Sequence, residues 1–288
     1  MQFSTFGRTS RADSGTLHVV ATPLGNLEDV TLRALRVLRE VSLVACEDTR
    51  RTGVLLKAHG ISMPTTSYFE HNERWKGDRI LQVLARGQDV ALVSDAGTPA
   101  ISDPGYRLVR AAREAGFAVL PVPGPSASVA ALSVAGLPSD RFLFVGFLPS
   151  RAGARARALA ELADVQETLV LYESPLRIVD ALTAMIDALG DREAFLCREA
   201  TKVHEEYVRG TLRDIRERLA GRETVKGEIV LVVAGGSGRP AASGTPEEVF
   251  ARHVQAGLTR REAVKRTARE LDLPAREVYR RVLEADEE

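Results

Sequence analysis

Cysteine is nearly absent: Cys46 and Cys197 are the only two in 288 residues. Two thiols cannot build a four-ligand structural zinc site, and a chain long enough for a sizeable core does not need a disulfide. Both read as small core residues. The five histidines (His18, His59, His71, His204, His253) are scattered without HExxH spacing, so no metal centre is expected. No run of 18 apolar residues occurs, and the opening MQFSTFGRTSRADSG has no apolar stretch of signal-peptide type. The expectation is a cytoplasmic protein with no membrane span. An excess of charge of one sign is lacking too, since Lys+Arg and Asp+Glu number 39 each. Neutrality excludes a general polyanion binder but not local basic patches. Lysine is scarce among the cations: Lys57, Lys76, Lys202, Lys226 and Lys265 stand against 34 arginines. A lysine retained under such a bias marks a place where a compact amine is wanted. Neither GxGxxG nor GxxxxGK[ST] is found, so a phosphate-cradled nucleotide is not the expected ligand.

What is present is a long alternation of short β-branched runs and amphipathic segments. Leu17–Thr22 reads as a buried strand, 31–40 as a helix, Val41–Cys46 as a strand, 80–86 as helical and Asp89–Ser94 as a strand. A helix from Tyr106 to Ala115 closed by Gly116 and a strand Phe117–Val122 complete the first unit. The same grammar continues from Ser126 to Ala234, so the expectation is α/β, with mainly parallel sheets covered on both faces. GGSGRPAASG reads as a linker. Beyond it, three short helices opening at Thr245, Gly257 and Leu273 suggest a helix-turn-helix-like module. The expected domains are a disordered 1–15, α/β domains at 16–122 and 123–236, a linker at 237–244 and the helical module at 245–288.

Ligands of parallel α/β sheets bind at the carboxyl ends of the strands. Four loops at such ends are unusual. TPLGNLEDVT (22–31) follows the first strand, and CEDTRRT (46–52) crowds acids and a paired arginine after the second. The latter is either a salt-bridged helix start or a site for a phosphodiester or ribose. SDAGTPAISDPG (94–105) offers small residues on which a ligand can lie, with Asp95 able to accept hydrogen bonds from a ribose or amino group. VPGPSA (122–127) turns into a helix whose first amides are free.

These segments, with LYESPLR (171–177), REATK (198–202) and KGEIVLVV (226–233), occur in the order found in the tetrapyrrole-methylase superfamily, the class III S-adenosylmethionine-dependent methyltransferases. The resemblance covers residues 16–288 and is strongest to the branch that methylates the 2′-hydroxyl of a cytidine in the decoding region of 16S rRNA. It implies two α/β domains of the tetrapyrrole-methylase type, S-adenosylmethionine in the interdomain cleft, a C-terminal helix-turn-helix-like helical module, the small ribosomal subunit as partner, and a homodimer. Matched motif by motif, it implies cofactor contacts at Pro23, Leu24, Asp95, Thr98, Ser126, Ala127, Tyr172, Glu173 and Ala200.

A ribose hydroxyl is far from ionised at neutral pH, so a group that takes or stabilises its proton should contribute about 10²- to 10⁴-fold. Lys202, two residues beyond Ala200, ranks first, with Glu199 and Asp95 behind it and Glu173 and Glu228 as further strand-end acids. Lys202 serves either as a desolvated neutral base, as a cation stabilising an alkoxide, or only as an ion-pair partner of Glu199 or Glu205. Phosphate contacts are expected from Arg50 and Arg51, from the loop carrying Arg151, Arg155 and Arg157, and from Arg260, Arg261 and Lys265. The last three lie in a stretch, 258–281, with eight basic and four acidic residues, which otherwise reads as a solvated face. The rival functions are a tetrapyrrole methyltransferase of the same fold and a non-catalytic ribosome-assembly protein.

Overall fold

A computed structural model of the chain describes residues 14–69, 72–236, 245–271 and 273–286. The stretches read above as a disordered start and as a linker lie almost wholly outside them.

The first sheet is built from β1 (Thr16–Val20), β2 (Leu43–Cys46), β3 (Thr65–Ser67), β4 (Val90–Val93) and β5 (Ala118–Val122), with α1 (Leu32–Glu40), α2 (Thr49–Ala58), α3 (Glu73–Ala85) and α4 (Tyr106–Glu114) between them. Its order is β3-β2-β4-β1-β5, and every pairing is parallel. Side chains alternate between its faces. Val20, Ala91 and Val93 pack with Ala34, Val37, Leu38 and Leu56 of α1 and α2. Leu17, Val90 and Leu92 pack with Ile80, Leu84, Leu108 and Ala112 of α3 and α4. The chain leaves β1 toward β2 and leaves β4 toward β5, in opposite directions across the sheet. The crevice at that reversal is where such a sheet opens to a ligand.

The second sheet holds β6 (Phe142–Phe147), β7 (Thr168–Glu173), β8 (Glu193–Arg198), β9 (Glu206–Thr211) and β10 (Ile229–Val233), with α5 (Ala127–Val134), α6 (Ala152–Leu162), α7 (Ile178–Leu189) and α8 (Leu212–Ala220). Here the expectation of a mainly parallel sheet fails. In the order β6-β7-β10-β8-β9, only β6 and β7 run parallel; the other three pairings are antiparallel. The β8–β9 hairpin reverses the chain, and β10 returns to insert between β7 and β8. The alternation still separates two faces. Ile229, Leu231 and Val233 of β10 face α6, α7 and α8, whereas Val230 and Val232 share the other face with Cys197, Phe195 and α5. That second face carries the floor of the site described below.

CEDTRRT takes up the salt-bridged helix start, opening α2 with Asp48 as N-cap accepting from the Arg50 amide. Two other local readings change. The segment 151–157 is not a loop but the start of α6, with Arg151 at the N-cap. Helix α3 begins at Glu73 rather than Ile80. In the tail, α9 (Pro246–Gln255), α10 (Arg260–Glu270) and α11 (Ala275–Asp286) enclose a small core of Phe250, Ala263, Val264, Ala268, Val278 and Val282. Capping boxes Thr245–Glu248 and Thr259–Glu262 start the first two. No helix among the described residues is long and apolar enough to cross a membrane.

Candidate active site

The loops after β1, β2, β4, β7 and β8 converge on a cavity of about 420 Å³ between the two sheets. Its first-sheet wall is tied together by backbone. Thr22 and Gly97 exchange N–H···O bonds of 2.9 and 3.0 Å, which bring TPLG against SDAG. Gly97 sits at φ +78°, and a Cβ there would lie 3.3 Å from Leu24, so only glycine suits both the turn and the closeness. Thr98 Oγ1 donates to the Pro125 carbonyl at 3.1 Å, joining the same loop to PGPSA.

Asp95 is the junction with CEDTRRT. Its carboxylate accepts from the Asp48 amide at 3.0 Å and pairs with Arg51 at 3.4 Å. Arg50, one residue earlier, projects into solvent while pairing with Asp48 at 2.7 Å.

From the second sheet, the outward-facing positions Tyr172, Cys197 and Val230 supply the floor. Tyr172 is wedged edge-on between Phe144 and Phe147, with ring centroids 5.1 and 5.6 Å away. Glu173 is 2 % exposed and is held by Arg177 at 2.7 Å and by the Ser174 amide at 2.7 Å. A buried carboxylate needs such partners.

The segment 199–202 closes one side. Glu199 accepts from the Glu228 amide at 2.9 Å, while its own amide donates to the Glu228 carbonyl at 2.9 Å. Lys202 Nζ donates to Glu199 at 2.8 Å and to Glu228 at 3.1 Å. Glu205 takes no part; it accepts from the Thr201 amide and from Tyr207 Oη. Burial pulls the Lys202 ammonium down, but the bonds to Glu199 and Glu228 outweigh it, and the net displacement is upward. That direction favours the charged ammonium over a neutral amine at Lys202. The loop also bridges the sheets: the Asn26 amide donates to Thr201 Oγ1 at 3.2 Å, and the Lys202 stem lies against Gly25.

Backbone strain gathers at the same place. The four non-glycine residues with positive φ among those described are Ala100, Ser102, Glu199 and Thr201, two in each of the loops that flank the cavity. Strain of that kind, costing about 1–3 kcal/mol per residue, accumulates at ligand sites.

The cavity is acidic. Glu47, Asp95, Asp103, Glu173 and Glu228 line it against one cation, Arg51. Burial, then the Glu47 charge, pushes Asp103 up to about 6, and burial with the Asp95 charge raises Glu47.

Eight of the nine residues expected to touch a cofactor line this cavity, Leu24, Asp95, Thr98, Ser126, Ala127, Tyr172, Glu173 and Ala200, while Pro23 does not. Lys202 and Glu199 stand beside it, behind Glu228. Sequence reasoning missed Glu47, Asp103, Phe147, Cys197 and Val230. The first two lie inside motifs already singled out; the others show only once the free face of the second sheet is known. The basic residues divide into three places: Arg51 in the cavity wall with Arg50 beside it facing solvent, Arg151, Arg155 and Arg157 at the start of α6, and Arg260, Arg261 and Lys265 together on the tail.

Residues 16–216 match the description of the Tetrapyrrole (Corrin/Porphyrin) Methylases. The chain belongs to this family. It is 45 % identical over 279 residues to the ribosomal RNA small subunit methyltransferase I of Halalkalibacterium halodurans, covering 93 % of this chain and 95 % of that one. With the protein of the same name from Pseudomonas aeruginosa it shares 50 % identity over 224 residues, 77 % of this chain and 79 % of that one. A solved uroporphyrin-III-C-methyltransferase from Thermus thermophilus superposes with a TM-score of 0.56 at 24 % identity, covering 76 % of this chain and 94 % of that one, a likeness of fold.

The chain is thus a methyltransferase, and the family's methyl donor is S-adenosylmethionine. The cavity fits it. The volume lies in the range of small-ligand sites, Gly97 leaves backbone bare where a Cβ would crowd Leu24, and five carboxylates facing one arginine suit a ligand of net positive charge.

Proposed function

We propose that the protein transfers a methyl group from S-adenosylmethionine to the 2′-hydroxyl of a cytidine ribose in the decoding region of 16S rRNA, acting in the cytoplasm as a homodimer. The names borne by its relatives support a small-subunit rRNA substrate. The observation that carries the reading is the Asp95 junction: the loop that lines the cavity and the arginine pair of CEDTRRT share one hydrogen-bonded corner, so a cofactor site and a phosphate-seeking cation, Arg50, sit on adjoining residues.

Leu24, Thr98, Ser126, Ala127 and Ala200 hold the donor along their backbone and short side chains, and Asp95 and Glu173 complement its positive charge, with Tyr172 and Phe147 excluding water. When bound, S-adenosylmethionine supplies an electrophilic methyl on a sulfonium. The protein's task is alignment, which in favourable intramolecular cases is worth roughly 7–11 kcal/mol. Glu228 is the lining carboxylate that receives the 2′-hydroxyl proton, and Lys202, kept charged between Glu199 and Glu228, positions that carboxylate from behind and adds positive charge near the developing alkoxide. Arg50, Arg51, the arginines of α6 and the tail hold the RNA. Leu176 and Val203, large apolar side chains left 90 % and 94 % exposed beside the cavity, favour a second copy covering this rim.

The test is methyl transfer from labelled cofactor to 16S rRNA, free and within the small subunit, with the product nucleoside identified. 2′-O-methylcytidine is expected. A base-methylated nucleoside, or turnover of uroporphyrinogen in place of rRNA, overturns the assignment.

A further inference from the structure

The tail module contains a second concavity, a groove of about 720 Å³ between its helices. Positions 261 and 265 of α10 and 276, 279 and 283 of α11 follow helical spacing, so each helix turns one face toward it. The floor is apolar, formed by Phe250, Val264, Val282 and Leu283, and the rim carries Arg260, Arg261, Lys265 and Arg276 with no carboxylate among the lining residues. Four of the module's acids are engaged elsewhere: Glu277 pairs with Arg281 at 2.8 Å, Glu270 with Arg252 and His253 at 3.2 and 2.7 Å, and Glu248 and Glu262 close capping boxes. The near balance of nine basic and ten acidic residues over 245–288 therefore conceals a one-signed groove. Tyr279 stands in it 57 % exposed, and Arg260 lies over the Phe250 ring at 5.4 Å, which fixes one end.

A cationic rim over an apolar, aromatic floor suits a ligand that is anionic outside and flat and apolar inside. A duplex presents sugar-phosphate and groove edges but keeps its base faces stacked inside, whereas an unpaired nucleotide has both a phosphate and a free base face. We propose that this groove binds one unpaired nucleotide of the RNA substrate, its base stacked on Tyr279 and its flanking phosphates on Arg261, Lys265 and Arg276. The proposal rests on the reading of the substrate as RNA and adds that the tail grips a single-stranded or splayed segment.

The experiment uses the full chain and a fluorescent ten-nucleotide RNA, single-stranded or annealed to its complement, titrated at several salt concentrations. Wild type is expected to favour the single strand. Tyr279→Leu, which keeps apolar volume but removes the ring, is expected to weaken it roughly tenfold, and Tyr279→Phe to restore it. Arg276→Ala is expected to reduce the slope of log K against log salt by about 0.7, one phosphate contact on a single strand. Because Tyr279 lies outside the buried cluster of Phe250, Val264, Val278 and Val282, both tyrosine variants fold. Equal affinity for duplex, or an unchanged Tyr279→Leu, overturns the proposal. Lost affinity for intact small subunits with unchanged affinity for the oligonucleotide overturns it in favour of a protein partner. Methyl transfer to rRNA assayed in parallel separates the two readings: ring-dependent single-strand binding without rRNA methylation leaves the groove assigned and the reaction wrong, and methylation indifferent to Tyr279 does the reverse.

Discussion

The contact between Gly25 and Lys202 admits a quantitative test. Gly25 does not adopt a positive φ among the described residues, so alanine suits its backbone. What alanine does not suit is the space, because its Cβ would stand 2.2 Å from Lys202 Cγ and 3.1 Å from Cδ and Cε. Gly25→Ala must therefore push the lysine stem aside and break its bonds to Glu199 and Glu228. The Glu199 bond joins side chains 29 % and 21 % exposed, and a hydrogen bond to a charged group in such surroundings is worth about 1.5–3 kcal/mol. The Glu228 side chain is 67 % exposed, so that pair adds no more than about 1 kcal/mol. Lys202→Ala and Gly25→Ala should each cost about 2–3 kcal/mol in urea denaturation. The double variant should cost little more than either, since the new methyl occupies room the lysine has vacated. The expected coupling energy is about 2 kcal/mol. In methyl-transfer assays Lys202→Ala should lose most turnover while cofactor affinity, by calorimetry, stays within a few fold. Additive stability losses would refute the steric link, and wild-type turnover in Lys202→Ala would remove the lysine from the mechanism.

Cofactor affinity should depend on pH through Asp103. With its carboxyl pushed up to about 6 by burial and by the nearby Glu47, Asp95 and Glu228 charges, it is protonated at pH 5 and ionised at pH 7. Affinity for a cation then rises across that interval by up to about tenfold per unit, and Asp103→Asn should flatten the calorimetric profile; an unchanged profile would exclude Asp103. The ligand-free protein should respond oppositely, losing this proton's stabilisation as pH rises from about 4 to 6. Glu206 behaves in the reverse sense, held at about 2 by Arg222 and Arg198; its stabilisation is present above the ordinary glutamate value and is lost as pH falls from there toward 2. Glu206→Gln should cost about 1.5–3 kcal/mol at pH 7 by thermal denaturation, and a neutral outcome would show the arginines content without it. Removing residues 245–288 should weaken RNA binding and flatten its salt dependence; an unchanged salt slope would make the tail a folding or dimerisation device.

The strand-end loops were legible because each carries more turn formers and acids than a turn requires, and the first sheet because its strands are short, apolar and separated by helices. The second sheet's direction was not. The run Ile229–Val233 reads the same whether it joins an edge or inserts between β7 and β8, since the choice is made by pairings with residues 31 to 64 positions away. The three-residue β3 carries too little sequence to announce itself, and Gly77 interrupts the apolar spacing of α3.

Lys202 shows where the boundary lies. Its rarity as a lysine singled it out, and proximity in sequence offered Glu199 and Glu205 as partners. The structure selects Glu199 and adds Glu228, which lies 26 residues on and arrives because β10 pairs with β8 so that Ile229 opposes Arg198. The two glycines beside this cluster have the same history. Gly227 sits at φ +93°, and a Cβ there would be 2.2 Å from Glu199 Cγ; Gly25 makes the equivalent room for Lys202. In the sequence each looks like an ordinary turn former in PLG or KGE. Their shared reason is a salt-bridged corner assembled from three segments, and the requirement for glycine there is spatial at Gly25 and both spatial and conformational at Gly227. A motif glycine can thus record a contact between loops 175 residues apart as readily as a bend in its own.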